Sequence, residues 1–332
     1  MTTYKEINGT NIEAVSTDPA NPVTGQVWYN TTDNVVKGAA ATTVGAWSTG
    51  GNLNTARKDG SGFGTQTAAI AAGGNTAKPG VAVTLNVESY NGSAWTEVNN
   101  INTSRYAMGG TGSPTSGIIA GGDTPPKSAA TETWNGTNWT EVSDLNTARY
   151  LLGMSGTDNT AALCIAGYEY PGAGLVANVE TWGGSSWTET TNINTARYAQ
   201  GNAGTQTNAL IFGGATSVKT TLTELWNGSS WTEVNDLNTA RYNAAGAGTY
   251  TAALCMAGMV NPGETATVDT EEWNGTSWTE TTNMSTARYG LSGAGTQAAA
   301  LVFGGDTVPA VFNATEEWIG AGSPLVQTFT DS

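Results

Sequence analysis

The sequence contains no histidine in 332 residues. That removes the imidazole base of Ser-His-Asp hydrolases and any His-ligated zinc site. Charge is scarce as well: Asp, Glu, Lys and Arg make up 12% of the chain, about half the usual share. Twelve basic residues face 27 acidic ones, for a net charge of −15. An acidic surface repels a phosphate backbone, so a nucleic-acid partner is not expected. Two cysteines in this length make no disulfide framework. No apolar run approaches the ~20 residues of a membrane span. The first residues, Met1 to Glu6, lack the basic-then-apolar layout of a signal peptide. The expectation is a soluble protein that, if exported, leaves without a classical leader. No Walker or dinucleotide fingerprint follows a strand pattern.

What the sequence does have is periodic. Twelve Trp and eleven Tyr recur at fixed places among 44 Gly, which separates the chain from disordered compositions poor in aromatics. A Trp is followed ten residues later by an Arg six times: Trp47/Arg57, Trp95/Arg105, Trp139/Arg149, Trp187/Arg197, Trp231/Arg241 and Trp278/Arg288. Every arginine belongs to this series. After each Arg comes a small-residue segment, then an apolar run ending in Gly-Gly (Gly73-Gly74, Gly121-Gly122, Gly213-Gly214, Gly304-Gly305) or in Ala166-Gly167 and Ala257-Gly258. A variable loop leads to Glu-x-aromatic: Glu88/Tyr90, Glu132/Trp134, Glu180/Trp182, Glu224/Trp226, Glu271/Trp273 and Glu316/Trp318. In most units the next Trp follows across Asn-Gly, a strong hairpin signal.

Each unit therefore reads as four short antiparallel strands: a small-residue inner strand, a buried apolar strand, the Glu-x-Trp strand and an outer Trp strand. An apolar segment ending in Gly-Gly, then an aromatic, then a Trp, at roughly fifty residues per repeat, resembles the kelch repeat. The resemblance covers about residues 44 to 320 and implies an all-β fold, a six-bladed β-propeller. The last unit lacks a fourth strand, and Gly45-Ala-Trp47 is an orphan copy of one. Pairing the two removes open sheet edges, so the N-terminal strand is expected to close the ring. The expected division is residues 1–43 as an extended and hairpin segment, with a possible virion-attachment role, and 44–332 as the propeller. Arg-to-Arg spacings of 48, 44, 48, 44 and 47 overlay a second period, three copies of a two-blade module.

The leading segment, Asp18-Pro-Ala-Asn-Pro-Val-Thr-Gly-Gln-Val-Trp28-Tyr29-Asn30-Thr-Thr32, resembles segments of tailed-phage virion and tail-fibre proteins. So does its combination with a Thr/Asn/Gly-rich kelch array ending in Thr-Phe329-Thr-Asp-Ser332. That resemblance implies a viral structural protein.

Chemistry-bearing residues reduce to two sets. Arg57, Arg105, Arg149, Arg197, Arg241 and Arg288 could ring an anion in the channel, or each could pair internally with Glu88, Glu132, Glu180, Glu224, Glu271 or Glu316. Perfect repetition favours internal pairing, because ligand sites usually break symmetry. One arginine per unit also cannot form the clustered triad of a sialidase, and no Asp-box occurs. The lack of histidine removes the copper ligands of galactose-oxidase-like kelch enzymes. The second set lies in loops on the rim where the second strand leaves for the third: Pro79, Gly80, Tyr168, Glu169, Tyr170, Pro171, Pro262 and Gly263. Loops on a rigid scaffold carry binding, and three Pro-Gly loops two units apart could match a threefold partner. No enzyme, cofactor or metal is expected. The function expected is a virion structural or adhesin module, a phage tail or fibre part binding host-surface glycan, protein or other virion proteins. The alternative is a secreted or surface bacterial kelch lectin, extracellular rather than in a virion. Cys164 and Cys255, at matching positions two units apart, are expected to be free and buried.

Overall fold

The computed structural model of the chain describes residues 12–20, 22–23, 25–41, 44–124, 127–169, 172, 174–260, 265–307, 310–322 and 324–328. The described residues are all β, and no helix occurs among them. The chain forms two compact units: Trp47–Trp318, and Met1–Ala46 together with Ile319–Ser332.

The larger unit is made of four-stranded antiparallel sheets, an arrangement consistent with a multi-bladed β-propeller. The first sheet runs Ser61–Thr65, Ala68–Ala72, Val87–Tyr90 and Trp95–Val98. The second runs Gly109–Ser113, Ser116–Ala120, Thr131–Trp134 and Trp139–Val142, and the third Gly153–Asp158, Ala161–Glu169, Gly174–Trp182 and Trp187–Thr190. The fourth holds Gly201–Gly204, Ala209–Phe212, Thr223–Trp226 and Trp231–Val234, and the fifth Ala245–Thr249, Ala252–Met256, Thr270–Trp273 and Trp278–Glu280. The sixth joins Ser292–Gly295, Ala299–Phe303 and Thr315–Ile319 to Ala46–Thr49, from the far end of the sequence. Trp47 thus sits in the sheet whose first strand follows Arg288, stacked on Trp318 at 5.3 Å.

Second strands such as Ala209–Phe212 are buried on both faces, which their unbroken apolar runs require. Small residues fill the first strands because neighbouring sheets crowd there. A Cβ on Gly246 would stand 2.2 Å from the Asn202 carbonyl oxygen. Aromatic pairs knit the outer strands, with Trp134–Trp139 at 5.2 Å and Trp226–Trp231 at 5.2 Å.

Two sets of backbone hydrogen bonds link the sheets in cyclic order. The amide of the last residue of each small pair donates to the carbonyl of the next unit's arginine: Gly74 to Arg105, Gly122 to Arg149, Gly167 to Arg197, Gly214 to Arg241, Gly258 to Arg288, and Gly305 back to Arg57, all at 2.8–3.0 Å. The second set joins the residues two past each arginine. Ala107 donates to Asp59, Leu151 to Ala107, Ala199 to Leu151, Asn243 to Ala199, Gly290 to Asn243, and Asp59 to Gly290, at 2.6–2.9 Å. All six hold φ between 52° and 62°. Asp, Asn and Gly tolerate that left-handed region; Ala107, Leu151 and Ala199 adopt it against their preference. Ala166 and Ala257 likewise keep the left-handed turn, at φ 55° and 58°, so alanine replaces the first glycine of the pair without changing the turn.

The smaller unit has its own sheet. Val27–Asn30 and Val35–Ala41 form an antiparallel hairpin, Glu13–Val15 pairs parallel to the first of these, and Pro324–Thr328 pairs with the second. Asp18 is its polar hub: the carboxylate accepts from Lys37 Nζ at 2.8 Å, Asn30 Nδ2 at 2.7 Å and Trp28 Nε1 at 3.0 Å. Those hydrogen bonds, Lys37's foremost, pull its carboxyl down to about 2. The Asp-Pro…Trp-Tyr-Asn spacing is therefore a folding signal for this hairpin.

Candidate functional site

The arginines and Glu-x-aromatic glutamates meet one to one within each sheet. Arg57–Glu88 stand 2.5 Å apart, Arg105–Glu132 2.7 Å, Arg149–Glu180 2.8 Å, Arg241–Glu271 2.6 Å and Arg288–Glu316 2.6 Å, and Arg197 pairs with Glu224. Each guanidinium also reaches main-chain carbonyls, as Arg57 does at Gly73 and Asn86. The second carboxylate oxygen caps the turn before the arginine: Glu88 accepts from the Asn54 amide at 2.7 Å and its side chain at 2.9 Å. Burial lowers the Arg57 pKa, opposed by Glu88. These pairs hold the Asn/Ser-Thr-Ala/Ser-Arg turn against the third strand and are unavailable to a ligand.

The cysteines are free and buried, and burial pushes Cys164 up to about 11 and Cys255 up to about 12. As thiols they pack as small hydrophobes. Among the described residues, no group of three or more Cys, Asp or Glu is placed to hold a metal ion, and no helix is long and apolar enough to cross a membrane.

Polar and aromatic side chains outside the ion pairs gather near where the first strands begin. A cavity of about 140 Å³ is lined by residues of all six first strands and the segments leading into them. A second, of about 120 Å³, lies farther along the same strands. One residue before each lining segment of the first, the position after each arginine carries Lys58, Tyr106, Tyr150, Tyr198, Tyr242 or Tyr289, and each bridges to the residue that follows the small pair: Lys58 to Asn75, Tyr106 to Asp123, Tyr150 to Tyr168, Tyr198 to Ala215, Tyr242 to Met259, Tyr289 to Asp306. Tyr150, Tyr168, Tyr198 and Tyr242 form an edge-to-face arc with successive centroids 5.7, 5.9 and 6.2 Å apart. The other side of the rim is charged. Lys78 reaches Asp306 at 2.6 Å, Lys58 reaches it at 2.9 Å, and Lys127 pairs with Asp123. Lys127 lies 4.3 Å over the Tyr150 ring and Lys78 5.2 Å over Tyr289, distances at which cation–π attraction operates. Lys219 donates to the Val260 carbonyl at 2.8 Å.

Asp59 stands at the cavity edge. Burial pushes its carboxyl up to about 6; Lys58 and Lys78 pull it down and Asp306 pushes it further up. Of the rim residues expected from the sequence, Pro79 and Gly80 are exposed on a loop held by Asn75, whose side chain accepts from the Ala77 and Ala82 amides. Tyr168 joins the aromatic arc and Glu169 ends the second strand of its sheet. Tyr170, Pro171, Pro262 and Gly263 lie outside the described residues. The tyrosine collar and Asp59 were not anticipated. Five Arg-Tyr dipeptides carried the signal for the first.

No protein-family model and no curated protein matches the chain.

Proposed function

We propose that the chain is a closed six-bladed, kelch-like propeller acting as a non-enzymatic binding module, with the tyrosine-rimmed face as its binding surface. One observation carries this reading. The six repeated ion pairs satisfy one another inside the sheets, while polar side chains that break the repeat, Asp59, Gln200 and Asn202 among them, line a cavity between the first strands. Six similar sheets and two cyclic sets of hydrogen bonds support ring closure. A pre-formed concave site with convergent polar groups is the usual form of a binding site.

Within that reading the module is a virion structural or adhesin part, a phage tail or fibre component; its support is the Asp18-to-Thr32 segment and the composition of the array. The tyrosine collar equally favours a surface kelch lectin of a bacterium. The test is binding of fluorescently labelled protein to a panel of bacterial cells. Tyr150→Ser combined with Tyr198→Ser should abolish binding, and Asn135→Ser, on a third-to-fourth-strand turn at the opposite sheet end, should not. Loss from the turn variant with retention in the tyrosine variant overturns the choice of face.

A further inference from the structure

The cavity at the tyrosine rim has more hydrogen-bond acceptors than the chain supplies donors for. Among the described residues nothing donates to the Asp59 carboxylate. Gln200, 6% exposed, gives its Nε2 to the Ile165 carbonyl at 3.0 Å and leaves Oε1 without a partner. Ser61, 4% exposed, has an unpartnered Oγ. All three line the same cavity, Asp59 and Ser61 from the first unit and Gln200 from the fourth. Asp59 is half-buried, whereas the unmet acceptors of the buried Gln200 and Ser61 cost ~1–3 kcal/mol each, so a ligand rich in donors is favoured there.

We propose, building on the binding-face reading above, that this cavity takes the terminal ring of a neutral, hydroxyl-rich glycan. Asp59 and Gln200 accept its hydroxyl protons, and the arc Tyr150–Tyr168–Tyr198–Tyr242 packs against its C–H faces.

Size, charge and shape agree with that occupant. A volume of about 140 Å³ holds on the order of ten water-sized spheres, too roomy for a bare ion and suited to one sugar ring. The rim lysines are already engaged within the protein. Lys58 and Lys78 are held by Asp306, Lys127 by Asp123, and Lys219 donates to a carbonyl, while the chain carries −15 overall. Tyrosine offers apolar area with a polar tip at low ordering cost, which suits a ligand that alternates C–H and O–H groups.

An array of neutral and anionic oligosaccharides, followed by titration of the strongest neutral ligand, tests the assignment. Neutral glycans should bind and anionic ones should not. Asp59→Asn, which tolerates the left-handed backbone there, should weaken the strongest neutral ligand roughly tenfold or more. Tyr150→Leu should do the same, with melting temperatures no lower than the native chain's as the check on folding. Ser185→Ala, in a separate Thr- and Ser-lined groove, should change nothing. The proposal is overturned if only anionic glycans bind, or if neutral binding survives both Asp59→Asn and Tyr150→Leu. Cell binding that is lost in the tyrosine variants, with no glycan bound on the array, overturns it too but leaves the binding face standing. Cell binding indifferent to those tyrosines removes the face itself.

Discussion

Two populations of basic residue sit a few residues apart and do opposite things. The six arginines are buried, make the same ion pair in every sheet and set its internal geometry. Of the rim lysines, Lys58, Lys78 and Lys127 are partly exposed and Lys219 is buried, and their partners do not repeat from sheet to sheet: Asp306 for the first two, Asp123 for the third, a carbonyl for the last. Repetition marks residues that hold the frame, and departure from it marks residues free to acquire a ligand. A planar, permanently charged guanidinium suits the first task, since it serves a carboxylate and two carbonyls at once.

The comparison breaks most visibly under mutation. Arg197→Ala strands Glu224 in the core and should cost ~3–5 kcal/mol, read from chemical denaturation at constant slope. Arg105→Ala should cost about the same, whereas Lys127→Ala should cost under ~1 kcal/mol. A melt of Arg197→Ala like that of the native chain would show that the pair contributes nothing there.

Asp59 sharpens the contrast from the acidic side. Its folded pKa of about 6 lies above the ordinary 3.8, so the fold favours the neutral form. Its stability contribution is complete below pH ~4 and is lost as pH rises through 6. The charges facing it belong to Lys58, Lys78 and Asp306. Asp59→Asn should therefore raise stability at pH 7.5 by on the order of 1–2 kcal/mol. It should also flatten the decline between pH 4 and 7.

Alternate sheet interfaces differ in one bond. Trp95, Trp187 and Trp278 donate Nε1 to the hydroxyls of Thr315, Thr131 and Thr223 at 3.0–3.1 Å. Trp139 packs in the cluster containing Val87, where the matching threonine would be, and its Nε1 has no partner. Trp231, whose cluster contains Val179, turns to the Thr191 carbonyl at 3.1 Å. Val179→Thr should then cost ~1–2 kcal/mol, for a buried hydroxyl that Trp231 does not need. Val87→Thr should be neutral or gain up to ~1 kcal/mol, because it gives Trp139 an acceptor. Equal losses in both would remove this account of the two-sheet period. The smallest effect is expected at Ala199→Gly, where relief of the left-handed backbone should outweigh the added chain entropy by about 0.5 kcal/mol.

Much of this frame was legible because its causes are local and repeated. The Trp-to-Arg interval, the Gly-Gly pairs and Glu-x-Trp each mark a strand end or a buried partner, so the four strands per unit and Trp47's placement beside the last unit could be read directly. The left-handed ring leaves no sequence signal because its six members share a conformation and not a residue type: Asp59, Ala107, Leu151, Ala199, Asn243 and Gly290. The pairing of Pro324–Thr328 with Val35–Ala41 carried no local signal, since a single edge strand has no repeat to announce it. The candidate cavity was legible only as a rim. Loop composition pointed to that end of the sheets, but which acceptors go unmet depends on contacts between sheets, as with Gln200 against Ile165.

The cyclic hydrogen bonds bear on how this molecule comes apart. In an open repeat array the terminal members have one neighbour and fray first, so stability is shed from the ends. Here Gly305 binds Arg57 as Gly74 binds Arg105, and no sheet of the six is terminal in that sense. Thermal loss of any one of them exposes two interfaces at once, so the six should melt as a unit, with amide exchange at Gly74 and Gly305 equally slow.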